Sequence, residues 1–218
     1  MKHSRKNSEA RTLIMMAKII SMLFRPIYYP VVCCVILLVV TPLSRLPWQY
    51  KVMETSIMMV FTIVMPLFFT ACFRRFRHIN RTDMRKRSNR IVPYLMTIMC
   101  YSGYLFLMRN AYMPYLLFSV ISAALLIQIV CTLLSLVWKV SVHSAGSGAI
   151  IGAIAAYSQI FQFNPLAWMS VAIMIAGLVG TSRMILRQHS LSQIVVGTLI
   201  GVVCGYFGIA WGILIYGA

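Results

Sequence analysis

The sequence predicts an all-α fold, a polytopic transmembrane helix bundle of about six to seven spans with a short interfacial helix at the N-terminus. Three observations predict it. Of 218 residues, 61% are hydrophobic and only 11% are charged, against a charged share of about 25% in soluble domains. The mean hydropathy is +0.84. The apolar residues also fall in long runs divided by charged or turn-forming punctuation, which is the pattern of successive membrane crossings.

Taken in order, residues 1–26 form a basic N-terminal segment. Within it, Leu13 to Phe24 mixes Met, Ile and Leu with Lys18, and this composition suits a helix lying along the interface until Pro26 and Pro30 turn the chain inward. A cleavable signal peptide is not expected, because charge interrupts the apolar stretch and no small-residue cleavage site follows. Residues 27–218 form a single transmembrane domain with candidate spans at 27–44, 52–73, 93–108, 114–138, 147–163, 165–181 and 194–215. The fifth span opens Gly146-Ser-Gly-Ala-Ile-Ile-Gly-Ala, a small-residue pattern for close helix packing. A merged or re-entrant segment is the alternative there.

Charge predicts the orientation. With seven spans, the N-terminal cations, the 74–90 run, Lys139, Arg183 and Arg187 share one side, leaving Arg45, Lys51 and Arg109 on the other. The positive-inside rule then puts the richer face in the cytoplasm, and the expected location is a bacterial inner membrane. The basic 74–90 loop suits anionic headgroups. With no aromatic interleaving and no soluble reading module, nucleic acid is not an expected partner.

Two polar segments interrupt the apolar background. One is Lys139-Val-Ser141-Val-His143-Ser-Ala-Gly146; the other runs Ser182-Arg183, five residues, His189, three residues, Gln193. The chain has three carboxylates, Glu9, Glu54 and Asp83, against twenty Lys and Arg, so chemistry based on paired carboxylates is nearly excluded. Six cysteines inside apolar runs, with no Cys-x-x-Cys or Cys/His spacing, indicate neither a disulfide framework nor a zinc site. No bound metal and no cofactor are expected. Histidine and cation chemistry remains, which suits a phosphate ester. An even number of spans separates the segments 74–92, 139–146 and 182–193, so all three emerge on one face.

These residues resemble the type 2 phosphatidic acid phosphatase superfamily, whose signature combines Lys-x6-Arg-Pro, Pro-Ser-Gly-His and Ser-Arg-x5-His-x3-Asp. Ser182, Arg183 and His189 match the third motif, with Gln193 where Asp is usual, and Ser141-Val-His143 matches the second without its Pro and Gly. The first is placed at residues 83–93, with Arg90 as its arginine, Pro93 near it and Asp83 in the lysine position. The resemblance spans residues 83 to 193, about half of the chain.

The resemblance implies that His189 is the nucleophile forming a phosphohistidine and His143 the general acid, a role for a side chain that titrates near neutrality. Arg183 and Arg90 would clamp the phosphoryl oxygens, Lys139 would add a point charge, and Ser141, Ser182 and the backbone amides entering the Gly146 helix would complete the cradle. Gln193, one helical turn from His189, can accept the Nδ1 proton. The expected substrate is a lipid phosphate or diphosphate of the phosphatidic acid, phosphatidylglycerol phosphate or polyprenyl diphosphate type. The competing expectation is a non-catalytic scaffold or transporter, and no internal repeat of the transporter kind is evident. Tyr94, Tyr101, Tyr104, Tyr112, Tyr115 and the four tryptophans are read as interfacial belt and packing residues.

Overall fold

The structure is a computed structural model that describes the backbone of residues 2–76, 87–109 and 114–216, and the side chains of residues 9, 11–76, 91–109 and 114–215. Among these residues it is helical throughout, with α1 (Lys2–Leu23), α2 (Tyr29–Val40), α3 (Trp48–Met59), α4 (Met65–Phe76), α5 (Arg87–Arg109), α6 (Tyr115–Val137), α7 (Val142–Phe161), α8 (Leu166–Ile185) and α9 (Leu191–Tyr216). Six stretches are long and apolar enough to cross a membrane: Arg11–Val40, Trp48–Phe76, Ile91–Arg109, Tyr115–Val137, Leu166–Ile185 and Leu191–Ile215. The apolar patterning of the sequence therefore corresponds to a helical transmembrane bundle.

Two of the stretches are broken by proline. The chain turns between α1 and α2 at Pro26, where Tyr28 N–H donates to the Arg25 carbonyl at 3.0 Å and the Tyr29 hydroxyl to the Phe24 carbonyl at 3.3 Å. Between α3 and α4 the helix widens into a π-turn over Val60–Val64, with Met65 N–H reaching back to the Val60 carbonyl. Pro66 follows at once. It has no N–H to give and its ring crowds the preceding turn, so the wider turn accommodates it.

The expected span at 147–163 is α7, which runs from Val142 to Phe161 as one helix and is not among the six stretches apolar enough to count as crossings. It is the most closely packed element, buried along Ser144–Gly148 and at Gly152 and Ala156. Its main partner is α9. A Cβ on Gly148 or Gly152 would collide with the Thr198 or Val202 carbonyl, and one on Gly201 or Gly205 with Ala145 or Ala149 backbone. Glycines on both helices thus let the backbones touch, as the small-residue pattern predicts. Around this pair, α6 packs on α9, α5 on α6, α8 on α7, and α1 on α8.

A second core lies among α2, α3, α5 and α6, built on Cys34, Leu37, Met58, Tyr104, Leu117 and Ile121. Glu54 is buried beside it at 2% exposure and accepts a hydrogen bond of 2.5 Å from the equally buried Tyr104 hydroxyl. The bond pins α3 to α5 six residues into the α3 helix, toward the end opposite both histidine segments.

Candidate active site

The α8–α9 connection is fixed by its own hydrogen bonds. Gln188 N–H donates to the Arg183 carbonyl at 3.1 Å and Arg187 N–H to the Met184 carbonyl at 2.8 Å, with Arg187 left-handed at φ 50°. This is the Schellman termination of a helix, with arginine at the position that glycine usually fills. It delivers His189 to the start of α9. There Ser190 and Gln193 form a reciprocal capping box: Gln193 N–H donates to Ser190 Oγ and Ser190 N–H to Gln193 Oε1, each at 3.4 Å.

The box settles the chemistry of His189. Ser190 N–H can only donate, so the amide oxygen of Gln193 faces it. The same oxygen lies 3.0 Å from His189 Nδ1. An oxygen that accepts from Nδ1 requires the proton on that nitrogen, so in the neutral imidazole Nε2 is the unprotonated one.

The second histidine stands in the first turn of α7, outside the six candidate spans. Ser141 caps that helix: its Oγ accepts from Ser144 N–H at 3.4 Å and pairs with Ser144 Oγ at 2.9 Å. Ser141 N–H in turn donates to the Gln193 carbonyl at 3.4 Å, which ties the cap of α7 to the first turn of α9. Gly197 permits this approach, since a Cβ there would press on the Ser141 carbonyl. His143 is largely buried with Arg183, His189 and Arg25 around it and within hydrogen-bonding reach of the Ser21 main chain. Burial first, and then the neighbouring Arg183, His189 and Arg25, push its imidazole down to about 3. In the free site His143 is neutral at physiological pH.

Arg183, in the last turn of α8, sends Nη1 to Ser21 Oγ on α1 at 2.8 Å. Its Nε is buried and has no hydrogen-bond partner among the described residues. One end of the bundle thus brings together two imidazoles, an incompletely satisfied guanidinium and the capped start of a helix, a combination suited to holding an anion.

Residues 132–214, which contain both histidine segments, match the family model of the PAP2 superfamily. Over this stretch the chain is similar to the PAP2 superfamily, and the match supports membership of that superfamily. At the level of the superfamily this carries a phosphatase-type function, and the helices make the chain an integral membrane protein. No curated protein and no solved structure matches it.

The other sequence-derived site residues are distributed as follows. Ser182 is buried and its hydroxyl donates to the Val179 carbonyl at 2.7 Å, so this serine, like Ser141, is engaged with backbone. Lys139 Nζ donates to the Gln188 carbonyl at 2.7 Å and thereby braces the loop before His189. Arg90 lies in the first turn of α5, but its side chain, like all of Asp83, lies outside the described residues. Tyr94, one turn further along α5, interacts electrostatically with Arg183, so this end of α5 reaches the site.

Sequence reasoning missed α1. Lys18, six residues, Arg25 and Pro26 satisfy the Lys-x6-Arg-Pro string at every position, whereas Asp83-x6-Arg90 keeps only the arginine. The signal was present, but it lies ahead of the first expected span and was read as an interfacial anchor. In the fold, Arg25 acts on His143, and a Cβ on Gly146 would strike the Tyr29 ring and approach Pro26. The turn that follows α1 therefore lies against the first turns of α7.

Proposed function

We propose that the chain is a membrane-embedded, metal-independent lipid phosphatase that works through a phosphohistidine. The observation carrying this reading is the His189–Gln193 pair, because a neutral imidazole held there has Nε2 as its unprotonated nitrogen, with His143 and its neighbour Arg183 close by. In the first step Nε2 attacks phosphorus, the N–P bond forms and the P–O bond to the lipid breaks. His143 gives its proton to the departing oxygen. In the second step water adds to phosphorus, its proton goes to His143 and the N–P bond breaks, restoring both imidazoles.

Transferring phosphoryl groups spread charge over three oxygens, so fixed cations supply the main electrostatic stabilisation. Arg183 and the motif pair Lys18 and Arg25 take that role in this proposal, with Arg90 and Lys139 as further cations of the same face. Neutral His143 acquires its proton with the substrate, because a phosphate dianion placed beside it offsets the surrounding positive charge. Gln193 holds His189 and adds no charge.

The substrate class is a lipid phosphate or diphosphate of the phosphatidic acid, phosphatidylglycerol phosphate or polyprenyl diphosphate type. Its phosphate would sit at the boundary and its tail among the helices. The cation-rich face, taken as cytoplasmic in a bacterial inner membrane by the positive-inside rule, would act on the inner leaflet. Reporter fusions after residues 80 and 112 test this orientation, and a translocated 74–90 loop overturns it.

The activity itself is tested on detergent-solubilised protein incubated with these three lipid classes, without added metal and with chelator. Chelator-resistant phosphate release that disappears in His189→Ala is expected. Absence of release from every lipid would favour the scaffold instead.

A further inference from the structure

The contact between α1 and α8 joins a serine at no fixed position of any motif to the guanidinium beside His143. Ser21 is 8% exposed, and its hydroxyl accepts from Arg183 Nη1 at 2.8 Å. An arginine has two hydrogen-bonding edges besides its tip. Nη1 lies on the Cδ side, while Nε–H and Nη2 share the opposite edge and form the side-on fork that grips two oxygens of a carboxylate or phosphate. In this site the Nη1 edge is occupied by Ser21. The Nε donor of the fork is buried and unpartnered among the described residues.

We propose that Ser21 is a positioning residue that holds Arg183 from behind, so that the Nε/Nη2 fork faces the substrate phosphate. The orphaned Nε is then the mark of the intended ligand, since a buried N–H without an acceptor is costly and native structures rarely keep one. Ser21 is suited to the task because the same residue's main chain is within hydrogen-bonding reach of His143. It lies near the end of α1, where the last carbonyls have no partner inside the helix. A single residue of α1 thus touches the second-motif histidine through its backbone and the third-motif arginine through its side chain. The docking of α1 on α8 is thereby part of how the phosphate site is assembled.

The inference rests on the phosphatase reading for its substrate, but phosphate binding tests it separately. Full-length protein in detergent is assayed with dioctanoyl phosphatidic acid, and inorganic phosphate serves as competitive ligand. Ser21→Ala should raise KM and the inhibition constant for phosphate about tenfold, the loss expected for a misaligned charge-assisted pair, with a smaller change in kcat. Ser21→Thr, which keeps the hydroxyl, should restore values close to wild type. In an Arg183→Lys background, where no fork exists to aim, Ser21→Ala should have no further effect on phosphate affinity.

Wild-type affinity in Ser21→Ala overturns the proposal, and so does an undiminished loss in the Arg183→Lys background, which would make the serine a packing residue only. If the wild-type protein hydrolyses no lipid, the phosphatase reading falls. Positioning is then judged on the rise in unfolding temperature caused by inorganic phosphate. A rise that Ser21→Ala abolishes and Ser21→Thr keeps supports it; no rise in wild type, or the same rise in Ser21→Ala, overturns it.

Discussion

Replacing Gln193 by Leu removes one oxygen that serves two donors, and the structure allows the two losses to be sized separately. The bond from Ser190 N–H is 3.4 Å long and belongs to the capping box of α9, where such caps contribute about 1 kcal/mol. The bond from His189 Nδ1 is 3.0 Å, and a neutral hydrogen bond of this kind contributes about 0.5–1.5 kcal/mol. The first loss falls on stability, and in a chain of this size about 1 kcal/mol lowers Tm by ~2–4 °C. The second falls on catalysis, because an unanchored imidazole turns and samples the tautomer whose Nε2 is protonated and not nucleophilic. At about 1.4 kcal/mol per decade, kcat should drop roughly tenfold while KM changes little. Gln193→Glu keeps the capping box and accepts the Nδ1 proton with a charged group, so it should recover both Tm and kcat. Steady-state phosphate release and thermal unfolding of the three proteins decide the matter. A Leu variant with wild-type kcat and a lowered Tm would refute the orienting role and leave Gln193 as a cap alone; activity confined to a carboxylate variant would mark the wild-type chain as a pseudoenzyme.

Because His143 is held down to about 3 and a bound dianion raises it, phosphate binding near neutral pH should take up a proton. Affinity for inorganic phosphate should therefore rise as pH falls from 8 to 6 more steeply in wild type than in His143→Gln, as measured by competitive inhibition; equal slopes refute the coupling. If Lys18 and Arg25 form the first motif, Arg25→Gln should reduce kcat/KM by about a hundredfold, the scale of a lost charge-assisted pair, and Asp83→Asn should leave it near wild type. Arg187 occupies a left-handed position at φ 50°, which costs a non-glycine residue about 1 kcal/mol, so Arg187→Gly should raise Tm slightly without lowering activity. Gly201→Leu drives a side chain into Ala145 backbone and should destabilise the α7–α9 pair strongly, read as loss of folded protein in detergent.

The bundle was legible because its signal is additive: each span is a run of about twenty apolar residues, and the small-residue run after Gly146 announced close helix packing there, though not its partner. The third motif was legible because Arg183, His189 and Gln193 lie within eleven residues, on a helix end, a short loop and a helix start. What depends on distant segments was harder to read. The Ser190–Gln193 capping box is written in the sequence as Ser-x-x-Gln, but its consequence for the His189 tautomer emerges only when one oxygen is seen to face both donors. Lys18 and Arg25 carry the first-motif spacing, yet composition around them speaks equally for an interfacial anchor, and the packing of α1 on α8 becomes visible only in the fold. Ser21 gives no sequence signal at all, since a serine one turn before a motif arginine has no meaning until Arg183 reaches it.

The departure at Gln193 follows from this local architecture. A carboxylate at the third residue of a helix is favoured by the helix dipole and would stabilise an imidazolium, but a glutamine can close the same capping box and accept the same proton. Its longer side chain lets Oε1 meet Ser190 N–H and His189 Nδ1 together, so orientation is preserved while charge is given up. The lost charge matters least when the group it would have stabilised is already bonded to a phosphoryl dianion and flanked by fixed cations. In the proposed site net charge is set by Arg183, Arg25 and the substrate, and Gln193 is needed for geometry.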